Sequence, residues 1–167
     1  MKKKGSALLI VVIIMMIVFT LAAYMVDTSI KSNRTASDTL NRTREYYSAE
    51  AGVYDCINEI NKKIDGKEVD ENIGTDGSAS NKITYKDIIE VYKASFQCIE
   101  RPNSNGDNDS PKKYTFKITS SGNYASQGCG IVAQVSIYYN INSVSNVYEY
   151  SRYTIDSWKV YSALDIQ

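Results

Sequence analysis

The chain has no histidine, only two prolines, and three cysteines without a Cys-x-x-Cys spacing. The first absence removes the commonest general base and metal ligand, so neither a Ser-His nor a Cys-His pair can be assembled. The cysteine spacing argues against zinc, and an odd set leaves at most one intramolecular disulfide. Charge of one sign is lacking too, with 19 Lys+Arg against 19 Asp+Glu, so there is no electrostatic footprint for nucleic acid. No P-loop or Gly-x-Gly-x-x-Gly is present, and nothing in the residue set argues for catalysis or a cofactor. The reading is therefore of a non-enzyme. Proline first occurs at Pro102, so no proline breaks a helix in the first hundred residues.

What is there begins with Lys2, Lys3, Lys4 and Gly5, then an apolar run from Ala7 to Val26 in which Thr20 is the small polar interruption. About 20 residues at ~1.5 Å each reach roughly 30 Å, the thickness of a bilayer's hydrocarbon core. The three lysines should remain on the cytoplasmic side. A secretory signal cleaved near Thr20-Leu21-Ala22 is one reading, but its apolar stretch should be only about 7 to 15 residues. A plain signal anchor is another.

Beyond Asp27 the polar stretch to Asp65 holds no proline and one glycine, Gly52. Ile30, Ala36, Leu40, Tyr47, Val53, Ile57, Ile60 and Ile64 recur at spacings of three, four or their sums, which predicts an amphipathic stripe. A single helix of about 55 to 60 residues, roughly 85 Å long, would be half in lipid and half packed on a domain. Lys62 and Lys63, with Gly66 just beyond, mark its stop.

The leader Lys2-Lys3-Lys4-Gly5 with Ser6-Ala7-Leu8-Leu9 resembles the class III signal of type IV prepilins. With Arg44-Glu45-Tyr46-Tyr47-Ser48-Ala49-Glu50-Ala51-Gly52, it resembles the PilX N-terminal type of minor pilin and the tip pseudopilin of type II secretion. The likeness covers roughly residues 1 to 60. It implies cleavage by a prepilin peptidase between Gly5 and Ser6, N-methylation of Ser6, and assembly with other pilins through the N-terminal helix. It also implies a cell-surface or secretion filament. Major pilins carry Glu as the fifth residue of the mature chain, where this sequence has Ile10. In the resembled family that loss goes with a tip or initiating subunit. A buried Glu costs about 3 kcal/mol in the membrane unless it is neutralised, so a subunit that docks beneath no other loses nothing by the exchange.

The rest, 65 to 167, reads as a globular antiparallel β domain. Asp65 to Lys82 is polar and glycine-bearing, a loop. Tyr85 to Tyr92 suggests a short helix, and Ala94 to Glu100 a strand broken at Arg101-Pro102. Asn103 to Lys112 has no large apolar residue and reads as a hairpin connection. Tyr114 to Ser120, part of Ile131 to Ile141, and Tyr148 to Thr154 are strand signals, with a turn at Asn142 to Asn146. The expected fold is α+β: leader 1–5, a long helix 6–64 with a transmembrane part at 7–26, and about four antiparallel strands packed on its amphipathic half.

Tyrosine is abundant, 14 copies against 3 Phe and 1 Trp, and all but Tyr24 lie at or after residue 46. Such rings suit half-buried strands or an adhesive surface. Cys98 and Cys129, in or beside expected strands, form a candidate disulfide if the domain lies outside the membrane, with Cys56 a buried helix thiol. Asp107 and Asp109 offer hard oxygen ligands for calcium, but the spacing is not that of an EF-hand, and a solvated loop is the better reading. Glu45 and Glu50, five apart on a helix, face different ways; Glu50 is a candidate for pairing between subunits. Asn33-Arg34-Thr35 and Asn41-Arg42-Thr43 match a glycosylation acceptor but fall on the helix's polar face. The expected function is that of a minor pilin-like structural subunit. The alternative is a single-pass, signal-anchored extracellular binding protein that does not polymerise, for which Gly5→Ala changes nothing.

Overall fold

A computed structural model describes residues 4–68, 77–85, 87–102, 111–122 and 128–162. One helix, α1 (Lys4–Ile64), precedes five strands: β1 (Gly77–Tyr85), β2 (Asp87–Glu100), β3 (Lys112–Gly122), β4 (Cys129–Ile141) and β5 (Tyr148–Ser162). The layout is α+β, a long N-terminal helix packed on an antiparallel sheet. The chain divides into two units, Met1–Leu40 and Asn41–Gln167.

The first unit is helical over its described residues. Its hydroxyl side chains fold back instead of competing with the helix, Thr20 onto the carbonyl of Ile17 (2.8 Å), Thr28 onto Tyr24 (2.9 Å) and Thr35 onto Lys31 (3.0 Å). Lys31 and Asp27 form an exposed i,i+4 pair at 2.7 Å, a contribution of a few tenths of a kcal/mol. From Leu8 to Leu40 every residue is exposed, including the apolar run from Leu8 to Val26. It is long and apolar enough to cross a membrane.

In the second unit the remaining part of α1 buries one face. Glu45, Ser48, Ala49, Gly52, Val53, Cys56, Ile57, Ile60 and Ile64 are buried, at helical three- and four-residue spacing. The expected stripe holds from Val53 onward. Ile30, Ala36, Leu40 and Tyr47 lie exposed instead, and the small residues Ser48, Ala49 and Gly52 take the contact. The reason is distance: a Cβ at Gly52 would overlap the Ser120 hydroxyl and come within 2.8 Å of the Tyr92 ring. Only a small side chain fits at that approach.

The helix ends as expected. Gly66 adopts φ 75°, the left-handed conformation that glycine takes without a Cβ penalty, just past Lys62 and Lys63. Its N–H donates to the carbonyl of Tyr148 (2.8 Å), Tyr148 N–H to Lys67 (2.9 Å), and Tyr150 N–H to the Asp65 carboxylate (2.8 Å). The end of α1 is thereby stitched to the start of β5.

The five strands lie in sequence order, all antiparallel. This corrects the expectation at one edge. Residues 77–82 belong to a strand, not a loop, and the described residues of Tyr85 to Tyr92 are the end of β1 and the start of β2 instead of a helix. Ile88, Ile89 and Val91 pair or flank a partner strand there, and β-branched residues suit that pairing over a short helix. The core is formed by Phe96, Phe116, Ile118, Ile131, Val135, Ile137 and Tyr139 against the helix face. Tyr114, Tyr139 and Tyr148 meet edge to face around it, with ring centroids 5.9–6.0 Å apart. The 142–146 turn is held by the Asn142 side chain, which accepts the N–H groups of Val144 and Ser145.

Apart from Tyr161, which pairs with Gly130 on the other face, the apolar residues of β5 are Tyr148, Tyr150, Tyr153, Ile155, Trp158 and Val160, spaced 2, 3, 2, 3, 2. The two threes are register shifts against β4, where Ser151 and Asp156 have no paired residue. Each extra residue restores the alternation, so all six apolar side chains share the helix-side face with Ile141, Tyr139, Ile137, Val135, Ala133 and Ile131 of β4.

Candidate functional site

Gly5 and Ser6 lie in the first turns of α1, and nothing beyond their backbone is described. Ile10 is exposed in the apolar stretch of the first unit. Glu50 is half-buried on the second unit's part of α1. Asp107 and Asp109 lie outside the described residues. Among the described residues no group of three His, Cys, Asp or Glu side chains is placed to hold a metal.

The cysteine pairing is corrected. Cys56, Cys98 and Cys129 are thiols. Cys98 in β2 is opposite Phe116 in β3, which is opposite Val135 in β4, six residues from Cys129. At ~3.4 Å per residue the two cysteines are about 20 Å apart along the strands, and a third strand lies between them, whereas a disulfide needs Cα atoms within about 7 Å. Cys56 is buried on the helix, as expected.

Sequence reasoning missed the end of the core where Glu45 sits. Its side chain is buried beneath Gly122, where any Cβ would strike the backbone of Glu45 itself. Cys129 lies close by, its thiol pushed up first by burial and then by the Glu45 charge, which makes it a poor nucleophile. The neighbouring Ser120 hydroxyl, against Gly52, is buried with no hydrogen-bond partner among the described residues. The signal was present in the small residues Ser48, Ala49 and Gly52 at one-helix-face spacing, which hydrophobicity alone does not weigh.

Two cross-links hold the helix laterally. Tyr92 of β2 donates its hydroxyl to Asp55, and Tyr139 of β4 donates to Asn61 at 2.8 Å. Lys63 sits over the Phe96 ring, 5.0 Å from its centroid. On the opposite sheet face, Glu100, Thr115, Ser136 and Thr154 are directly paired across β2 to β5. Thr115 donates to Glu100 at 3.1 Å, Ser136 donates to Asp156, and Thr154 donates to Asp156 at 3.2 Å. This hydroxyl row satisfies its own carboxylates, so it reads as a structural lacing of the sheet.

No family model, curated protein or solved structure matches the chain.

Proposed function

We propose that the protein is a minor pilin-like structural subunit of a type IV pilus or related secretion filament, held in a membrane by residues 7 to 26 until it is drawn into the filament. The observation that carries this reading is the division of labour along α1. One helix is wholly uncovered over an apolar stretch of membrane-spanning length, then buries a face on an antiparallel sheet. The basic leader ending at Gly5 and the segment Arg44 to Gly52 add the prepilin resemblance. Ile10 in place of a mature-chain Glu favours the tip or initiation over repeated use along the shaft, since no carboxylate is there to meet a neighbour's N-terminus. The partners are other pilins, a prepilin peptidase and the membrane, with the globular unit extracellular.

The test is the intact mass and first residue of the membrane-extracted chain, with and without prepilin peptidase. A chain beginning at methylated Ser6, formed only with the peptidase, supports the reading. An uncut Met1 leaves the non-polymerising anchored binding protein, and an N-terminus near Ala23 leaves a secreted domain; both overturn the filament.

A further inference from the structure

Exposure changes abruptly between β4 and β5. On the helix-side face Ile131, Val135, Ile137 and Tyr139 of β4 are fully buried. Their register partners on β5 are open, Val160 at 49%, Ile155 at 39%, Tyr153 at 39% and Tyr150 at 40%, with Trp158 half-buried. At its start β5 is covered, with Tyr148 in the core, but from Tyr150 onward the helix leaves most of its row open. Tyr54 (41% exposed) adds to the same patch, because with Asn61, seven residues on, it occupies the flank of α1 that meets Tyr139. The opposite flank carries Asp55 and Lys63, which contact β2. From Tyr150 to Val160 the patch runs along nine residues of β4, eight steps or about 27 Å at ~3.4 Å per residue.

We infer that this apolar corner between α1 and β5 is the contact through which two copies of the chain associate. Taking ~150–200 Å² for a large side chain, the open fractions amount to roughly 400 Å² of apolar surface per copy. A stable interface buries ~800 Å² per partner, of which somewhat over half is apolar, so the patch supplies the apolar centre of one such interface. It is rich in Tyr and Trp, the residue types that dominate interface energetics. The row itself is uncharged, so it can meet its own copy without like-charge repulsion. Strand addition is the poorer use of this edge, because two bulges twist it and Arg152 and Lys159 stand along it. Two chains anchored in one membrane keep their N-termini on the same side, so a symmetric pair has its two-fold axis along the membrane normal. This inference stands on the exposed row and does not depend on prepilin processing.

The experiment uses the full chain in membranes, with Cys98→Ser and Cys129→Ser to remove the partly exposed thiols. Single cysteines are introduced on the row (Tyr153→Cys, Ile155→Cys, Val160→Cys) and on the outer face (Arg152→Cys, Ser157→Cys, Lys159→Cys), followed by mild oxidation. The expected result is a disulfide-linked dimer several-fold more abundant from the row than from the outer face. Ile155→Asp should abolish the dimer of the detergent-extracted chain and Ser157→Asp should not, with circular dichroism showing both variants folded. A monomeric wild type without cross-linking, equal cross-linking from the two faces, or cross-linking only to a different protein overturns the inference.

Discussion

The two stretches of α1 share one secondary structure and differ in what surrounds them. Between Leu8 and Leu40 no side chain is covered, while between Glu45 and Ile64 one face is sealed against Phe116, Ile118, Val135 and their neighbours. Helical propensity is similar in both, so the difference lies in the solvent each is written for. The first is apolar all round from Ala7 to Val26, which suits lipid; the second is apolar on a stripe, which suits a sheet. Isoleucine therefore has two meanings within one helix.

The sharpest way to break that comparison is to truncate one isoleucine in each stretch. Ile60→Ala should destabilise the globular unit by about 2–5 kcal/mol, because it opens a cavity in a closed core. Ile13→Ala should leave the unit's denaturant midpoint unchanged and cost only ~0.5 kcal/mol of membrane insertion. Near-ultraviolet dichroism of the tyrosines during urea titration reads the first, and an insertion assay the second. Equal effects would mean that the first stretch is packed on protein.

Next in size are the two glycines at the helix–sheet seam. Gly122→Ala should cost about 1–3 kcal/mol, since the new Cβ meets Glu45 backbone, which cannot swing aside. Gly52→Ala should cost less. Ser120 can rotate its hydroxyl away, and alanine recovers up to ~1 kcal/mol of helix propensity. A larger loss at 52 than at 122 would show that the Tyr92 ring, not the hydroxyl, limits the approach.

Alkali should separate the stretches again. Burial pushes the Tyr114 and Tyr139 hydroxyls up, with the Tyr148 hydrogen bond adding at Tyr114 and the Asp65 charge at Tyr139. Their neutral forms are favoured in the folded state. The stabilisation is fully present below the unfolded value of about 10 and is lost as pH rises through the elevated folded values. Unfolding of the globular unit above about pH 10, with the helical signal of the first stretch retained, is the expected outcome. The smallest effect concerns one thiol. Glu45→Gln should speed alkylation of Cys129, because the carboxylate's charge holds the thiol up, and should leave Cys98 unchanged.

Much of the architecture was legible in residue spacing, and the misses share a physical cause. The helix stop at Gly66, the turn at Asn142 and strands β3 to β5 follow from local pattern. Even the β5 bulges are written in its 2-3-2-3-2 apolar spacing. Strand β1 was hidden because Gly77 to Asn81 (Gly-Ser-Ala-Ser-Asn) holds no β-branched or aromatic residue to signal a strand. The cysteine pairing failed because strand order is a tertiary property: both cysteines sit in strands, and β3 comes between. Of the candidate site residues, Gly5 and Ser6 rest on sequence alone. Glu45 was legible only as a polar residue of a motif, since its burial comes from the glycine opposite.

The sheet's order has a consequence for how the molecule is made. Because β1 to β5 pair only with their neighbours in sequence, every N-terminal portion of the chain is itself a smaller finished meander lying on a helix that came first. Within the sheet, no strand waits for a partner from farther along the chain. Each strand meets its template already in place, and the stitch of residues 65–68 to residues 147–150 closes last.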